Sequence, residues 1–130
     1  MINDLPGDLK YTQEHGWLRE EEDGTVTCGI TDYSQSVIGE LVYIELPEVG
    51  QELEGGAELA VIESVKAAAD IYAAVTGEVL DINEQLGESP EIINSDPYGE
   101  GWIARVRPSE NLINMMTPDQ YQSMLEEITD

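Results

Sequence analysis

The chain is 130 residues long, 41% of them hydrophobic, and its 28 acidic and 5 basic residues give a formal net charge of −23. Nucleic acids and anionic membrane surfaces both attract clustered Lys and Arg, so this charge excludes them as partners. The length predicts one domain over residues 1–130. A single Cys and a single His leave neither an internal disulfide nor a Cys/His metal site.

Most of the chain predicts short strands. Runs of aliphatic and aromatic residues, each bounded by turn formers such as Asp23-Gly24 and Gly55-Gly56, fall at residues 17–19, 25–30, 41–46, 59–62, 71–75, 78–82 and 102–107. Cys28 alternates with Val26 and Ile30 in the second run, a pattern that indicates a buried structural thiol rather than a nucleophile. The pattern therefore predicts a mainly β domain.

Helices are predicted at two places. Residues 32–38 follow Thr31, a suitable N-cap, and end at Gly39. A C-terminal helix begins after Thr117, with Pro118 at its first position and Gln120 completing a capping box. Its predicted packing stripe consists of Tyr121, Met124, Leu125 and Ile128. A shorter helix is predicted at 110–115. The C-terminal helix is expected to pack on the domain rather than to bind a partner.

The candidate functional residue is Lys66, one of only two lysines in the chain. The strands at 59–62 and 71–75 predict a hairpin whose tip is Val65-Lys66. Most exposed lysines are simply solvated. Here three alanines follow the lysine and leave room for another protein's active site, while Glu63 and Asp70 flank the tip. Ready access, a rigid base and a mobile stem are what a carrier lysine needs.

The stretch 61–72, VIESVKAAADIY, resembles the lipoyl-attachment motif of the glycine cleavage system H-protein family. Similarity extends from about residue 9 to 107 and includes YTQEHGW at 11–17, GITDYSQ at 29–35, GELVYIELP at 39–47 and GEV at 77–79, followed by Asn83, Pro90, Asn94, DPY at 96–98 and GW at 101–102. The resemblance implies a barrel-sandwich hybrid of two small antiparallel sheets. It also implies a lipoyl-binding core at about 24–107 and a helical cover at about 109–129.

The resemblance implies a carrier protein, not an enzyme, with lipoic acid joined to Lys66. The attachment-motif neighbours are Glu63, Ser64, Val65, Ala67 and Asp70. The aminomethyl group of glycine would pass on this arm from a pyridoxal-phosphate glycine decarboxylase to a tetrahydrofolate-dependent aminomethyltransferase. An FAD-containing dihydrolipoamide dehydrogenase would reoxidise the dithiol, and a lipoyl ligase or transferase would load the arm. The carrier is expected to be a monomer.

The family shelters its loaded arm in a surface cleft, for which Glu14 and Tyr33 are the candidates here. The chain departs from the family there, since Gly16 replaces a common glutamate and Tyr33 a common histidine. Alternatives therefore stay open: an H-like lipoyl relay that donates lipoate to other enzymes, or an unmodified acidic interaction protein with a decayed site. The N-terminal sequence lacks a signal-peptide pattern, which predicts the cytoplasm of a bacterium before the mitochondrial matrix.

Overall fold

The computed structural model describes residues 5–110, 112 and 115–129. Within these residues the chain forms nine strands and four helices. In chain order they are β1 (Lys10–Tyr11), β2 (Gly16–Glu20), β3 (Val26–Ile30), α1 (Asp32–Ile38), β4 (Leu41–Glu45), β5 (Glu52–Leu53), β6 (Glu58–Ser64), β7 (Ala68–Tyr72), β8 (Gly77–Ile82), α2 (Gln85–Glu88), α3 (Ile92–Ser95), β9 (Ala104–Pro108) and α4 (Pro118–Thr129).

The strands form two antiparallel sheets. The larger has the order β1-β2-β3-β9-β8-β5, and the smaller has the order β4-β6-β7. The prediction of a mainly β fold with two antiparallel sheets and a short internal helix is confirmed. One sheet is larger than predicted, because β1 and β2 add to the edge of β3 and extend it to six strands.

The main hydrophobic core lies between the two sheets. Leu18, Val79 and Ile103 contribute to it from the larger sheet and its flanking loop, and Ile62 and Ile71 contribute from the smaller one. Cys28 belongs to this core as predicted, and burial raises the pKa of its thiol to about 12. A thiol in this state is a packing group, not a nucleophile.

A second hydrophobic cluster lies under the C-terminal helix. It joins Tyr121 and Leu125 of α4 to Leu9, Tyr11 and Trp17 at the N-terminal edge of the larger sheet. Every residue of β3 is consequently buried, because the main core covers one of its faces and this cluster adjoins the other. Through this cluster the C-terminal helix packs against the N-terminal strands.

Helix α1 occupies the predicted residues and is capped as predicted, with Thr31 Oγ1 accepting from the Ser34 amide. The capping box of α4 also forms, since Thr117 N–H donates to Gln120 Oε1 and Gln120 N–H donates to Thr117 Oγ1. The prediction that Ile128 packs with the stripe is wrong. Its side chain is 49% exposed, because the last turn of α4 extends past the cluster.

The other helices of the structure differ from those predicted. The single-turn helices α2 and α3 were not predicted, because each has only four residues and lies among turn formers. In the predicted helix at 110–115, the described residues Glu110, Leu112 and Met115 are not helical. The rest of that stretch lies outside the described residues.

Candidate functional site

The hairpin of β6 and β7 places the candidate lysine at one end of the smaller sheet. The two strands pair in a register that sets Glu63 opposite Ala68 and Ile62 opposite Ala69. Residues 65–67 form the tip between them, as predicted. Because Ile62 and Ile71 anchor the hairpin in the main core, the tip has a rigid base.

The hydroxyl of Ser64 builds the turn at the tip. Its oxygen accepts from the amide of Ala67 at 3.0 Å and from that of Lys66 at 3.3 Å, while Ser64 N–H donates to the Ala67 carbonyl at 2.7 Å. Local bonds of this kind stabilise a turn without any contact from the core. The sequence predicts Ser64 only as a neighbour of the lysine in the attachment motif. In the structure, the hydroxyl group of Ser64 closes the turn.

The amine of Lys66 is exposed and makes no hydrogen bond or ion pair with any described residue. The other lysine, Lys10, is paired with Glu20 at 2.6 Å. Around the tip, Val65 is 69% exposed and Ala67 and Ala68 are also exposed. An accessible amine among small side chains on a fixed turn fits a covalently attached acyl group.

The flanking carboxylates do not neutralise this amine. Glu63 and Asp70 are both exposed, and neither forms a salt bridge with Lys66. They lie in the strands, opposite Ala68 and Val61 respectively, rather than at the turn. The two carboxylates therefore lie near the lysine in the chain but do not form an ion pair with it.

The two predicted cleft residues are separated by His15. Tyr33, in the first turn of α1, lies against the His15 ring at 4.9 Å between centroids, whereas Glu14 is exposed. Glu14 lines a groove of about 930 Å³, together with Gly55, Ala73 and others. This groove lies beyond the open ends of β6 and β7, at the opposite end of the hairpin from Lys66.

A buried polar network that the sequence did not predict joins three distant segments. The Tyr121 hydroxyl lies 2.8 Å from His15 Nδ1 and 2.7 Å from Thr31 Oγ1. The imidazole and the two hydroxyl groups can each donate or accept, and the tautomer of His15 sets the direction of its bond to Tyr121. Tyr11 stacks on Tyr121 with 4.9 Å between ring centroids. The sequence assigned Tyr121 only to a packing stripe.

His15 also adopts a left-handed backbone conformation, with φ of 69°, which is uncommon for residues other than glycine. Its carbonyl accepts from the Thr31 amide, so both its backbone and its ring contact the start of α1. The network therefore fixes α1 relative to α4 and the turn before β2.

The imidazole of His15 is expected to titrate below its ordinary value near 6.5. Burial lowers its pKa, and the smaller effect of the Glu14 carboxylate raises it. The folded state therefore binds this proton more weakly than the unfolded state does. The contribution of the neutral His15 ring to the free energy of unfolding is present above pH 6.5 and is lost as the pH falls below that value. As the chain has one histidine, a proton NMR titration reads this group alone.

Glu14→Gln should lower the His15 pKa further, because it removes the Glu14 carboxylate, which raises this pKa. A wild-type midpoint at or above 6.5 would contradict the buried position of the ring.

The described residues contain neither a metal-binding cluster nor a helix that could span a membrane. No group of three or more His, Cys, Asp or Glu side chains is arranged to hold a metal ion. Among the helices of this part of the chain, none has the length and apolar content needed to cross a bilayer.

A two-sheet β fold whose hairpin presents one accessible, unpaired lysine is typical of domains that carry a cofactor on that residue. The model of the glycine cleavage H-protein family matches residues 9–128 of the chain. The glycine cleavage system H protein of Psychrobacter sp. strain PRwf-1 is 50% identical over 126 residues, which cover 95% of this chain and all of that protein. The chain therefore belongs to the glycine cleavage H-protein family.

Two further comparisons agree. The H protein of Klebsiella pneumoniae is 46% identical over 128 residues, covering 97% of this chain and 99% of that one. The crystal structure of a glycine cleavage system H protein from Mycobacterium marinum superposes with a TM-score of 0.88 at 32% identity, covering 94% of this chain and 99% of the other. Members of the family are lipoyl carriers rather than catalysts.

Proposed function

We propose that Lys66 is the residue that carries lipoic acid, and that through it the chain transfers the aminomethyl group of glycine within the glycine cleavage system. The observation that carries this assignment is the exposed Lys66 amine on a rigid hairpin turn, which pairs with none of the described residues. Lys10 is a poorer candidate, because it lies in a two-residue strand and is paired with Glu20.

Acylation of Lys66 changes the charge of the tip. The ε-ammonium becomes a neutral amide, so the end of the stem can enter an apolar channel that would oppose a charged group. When attached, lipoic acid supplies a cyclic disulfide that a carbon nucleophile can open and that oxidation of the dithiol re-forms. The chain's own contribution is the placement of this arm on a fixed base.

The hairpin end also offers contact surface to enzymes. Val65 at the tip, Val42 and Tyr43 in β4, and Val37 in α1 are all exposed large hydrophobic residues. Exposed apolar residues that gather near one site indicate protein contacts. The net charge of −23 favours partners with basic surfaces around their active sites.

We assign four partner enzymes to this surface. Three of them are a pyridoxal-phosphate glycine decarboxylase, a tetrahydrofolate-dependent aminomethyltransferase and an FAD-containing dihydrolipoamide dehydrogenase. The fourth is the lipoyl ligase or transferase that loads Lys66. The likeness to bacterial H proteins supports the bacterial cytoplasm as the location.

A path for the arm runs along α1. The Lys66 stem lies at the C-terminal end of this helix, against Gly39, and Tyr33 lies near its N-terminal end. Six residues of helix span roughly 9 Å, which is within the length of an extended lipoyl-lysine side chain. Tyr33 is thus the better-placed of the two proposed cleft residues, because Glu14 lines the groove at the opposite end of the hairpin from Lys66.

The test is intact mass and peptide mapping after incubation with a lipoate ligase, ATP and lipoate. We expect one lipoyl adduct, on Lys66, and none on Lys10, which serves as an internal control in the same sample. An adduct on Lys10, or no adduct on folded protein, would reject the assignment. The second of these results would favour an unmodified interaction protein.

A further inference from the structure

The side chain of Lys66 rests on a glycine. Gly39 ends α1 with a φ of +94°, and a Cβ atom placed on it would lie 3.0 Å from Lys66 Cε, 3.8 Å from Cδ and 3.7 Å from Nζ. The first distance is shorter than nearly all real contacts of a Cβ atom. A methyl group at this position would therefore force the end of the lysine stem to move by a few tenths of an ångström.

Asn94 in α3 holds the segment that contains Gly39. Its Nδ2 donates to the Gly39 carbonyl and to Gln35 Oε1, each at 2.9 Å, and its Oδ1 accepts from the Leu41 amide at 2.9 Å. Both amide protons and the carbonyl oxygen are thus used. A half-buried side chain with these bonds fixes the backbone on either side of Glu40.

The same segment is bonded to the hairpin tip. The Val65 amide donates to the Glu40 carbonyl at 3.1 Å, and Leu41 pairs with Ser64 at the start of the β4–β6 ladder. The surface beneath the lysine and the turn that carries it therefore form one hydrogen-bonded unit. A change in the 39–41 backbone would be transmitted to that turn.

We propose that Gly39 is a positioning residue for the acylation of Lys66, providing the surface on which the lysine stem rests, with Asn94 holding that surface in place. This inference rests on the proposed attachment of lipoic acid to Lys66.

In the reaction that Gly39 assists, Lys66 Nζ, as the free amine, attacks the carbonyl carbon of an acyl adenylate held by the ligase. The N–C bond forms, the C–O bond to the adenylate phosphate breaks, AMP leaves and the nitrogen loses a proton to solvent. A stem that already points in one direction presents Nζ to this carbon more often than a freely rotating one.

Rotamer statistics set the size of the effect. Each sp³ torsion of a free stem has about three staggered wells, so release of one or two terminal torsions lowers the productive fraction about three- to ninefold. Gly39→Ala should displace the stem from this position, because the lysine end is the part that can move away from the new methyl group.

Gly50→Ala is the matched control. Gly50 has a φ of +92°, and a Cβ atom placed there meets nothing within 4 Å. Both variants place alanine at a positive φ that residues with a side chain rarely adopt, but only Gly39→Ala touches Lys66. The unfolding midpoints of both are expected to fall.

For lipoylation by ligase, lipoate and ATP, we expect kcat/KM of Gly39→Ala to be about three- to ninefold below that of Gly50→Ala, with the loss in kcat and little change in KM for the carrier. Asn94→Asp keeps an oxygen that can accept from the Leu41 amide but loses the two N–H donors to Gly39 and Gln35. It should therefore also lower kcat.

A spectroscopic readout separates positioning from stability. With ¹³C-labelled lysine the chain gives two Cε signals, and Lys10 serves as the reference for Lys66. The Lys66 signal should move in Gly39→Ala and stay in place in Gly50→Ala. Equal kcat values and unmoved Lys66 signals in the two variants would overturn the role of Gly39. Failure of the wild type to accept lipoate on Lys66 would instead reject the proposed function.

Discussion

Replacement of Lys66 by arginine is expected to abolish lipoylation and all carrier activity while the fold is retained. Arginine keeps the positive charge, but its guanidinium is not acylated in place of an amine. The native amine has no described partner and is exposed, so the free energy of unfolding should change by less than about 0.5 kcal/mol. The measurement is glycine oxidation with the purified partner enzymes, alongside a urea unfolding curve.

Lys10→Arg is the matched control, since it makes the same chemical change at the other lysine and can keep its ion pair with Glu20. It should retain full lipoylation and glycine oxidation. Glycine oxidation by the Lys66→Arg protein would show that the acyl arm is attached elsewhere or is not needed.

The largest effect on stability is expected from Trp17→Ala, at about 3–5 kcal/mol. Trp17 is fully buried, its indole lies over Gly29, and its Nε1–H donates to the Pro97 carbonyl at 2.9 Å. Alanine would leave a large cavity in the second cluster, beside Tyr98, and would remove the donor to the Pro97 carbonyl. Since small domains are stable by only about 5–15 kcal/mol in total, this loss is a large fraction.

Urea unfolding followed by circular dichroism measures this loss. Trp17→Phe should lose less, because it keeps most of the ring volume and gives up mainly the hydrogen bond, worth about 1 kcal/mol. Trp102→Ala tests whether burial is the cause, since Trp102 is only half-buried and should lose less than Trp17→Ala. Equal losses at the two tryptophans would contradict the central place of Trp17 in the second cluster.

Local signals in the sequence account for the parts of the fold that were predicted well. The strand runs, the caps of α1 and the capping box of α4 each depend on residues within a few positions of one another. The hairpin tip is of the same kind, because its turn is closed by Ser64 from within the tip. A lysine on such a turn can be recognised without knowledge of the rest of the molecule.

The extent of the larger sheet could not be predicted in this way. Its order places β3 beside β9 and β5 beside β8, so neighbouring strands come from distant parts of the chain. The helices α2 and α3 are too short to show a helical period, and their position depends on the packing of Leu86 and Ile93. Ile128 follows the stripe of α4 but extends past the surface that would bury it.

Propensity, capping and turn chemistry act over a few residues, so the strand-rich pattern, the capped helices and the candidate lysine follow from local sequence. The groups that surround that lysine and its neighbours depend instead on tertiary packing. Asn94 reaches Gly39 across 55 residues, and Tyr121 reaches His15 across 106. Contacts at such separations arise from the packing of whole elements, so a local pattern in the sequence does not encode them.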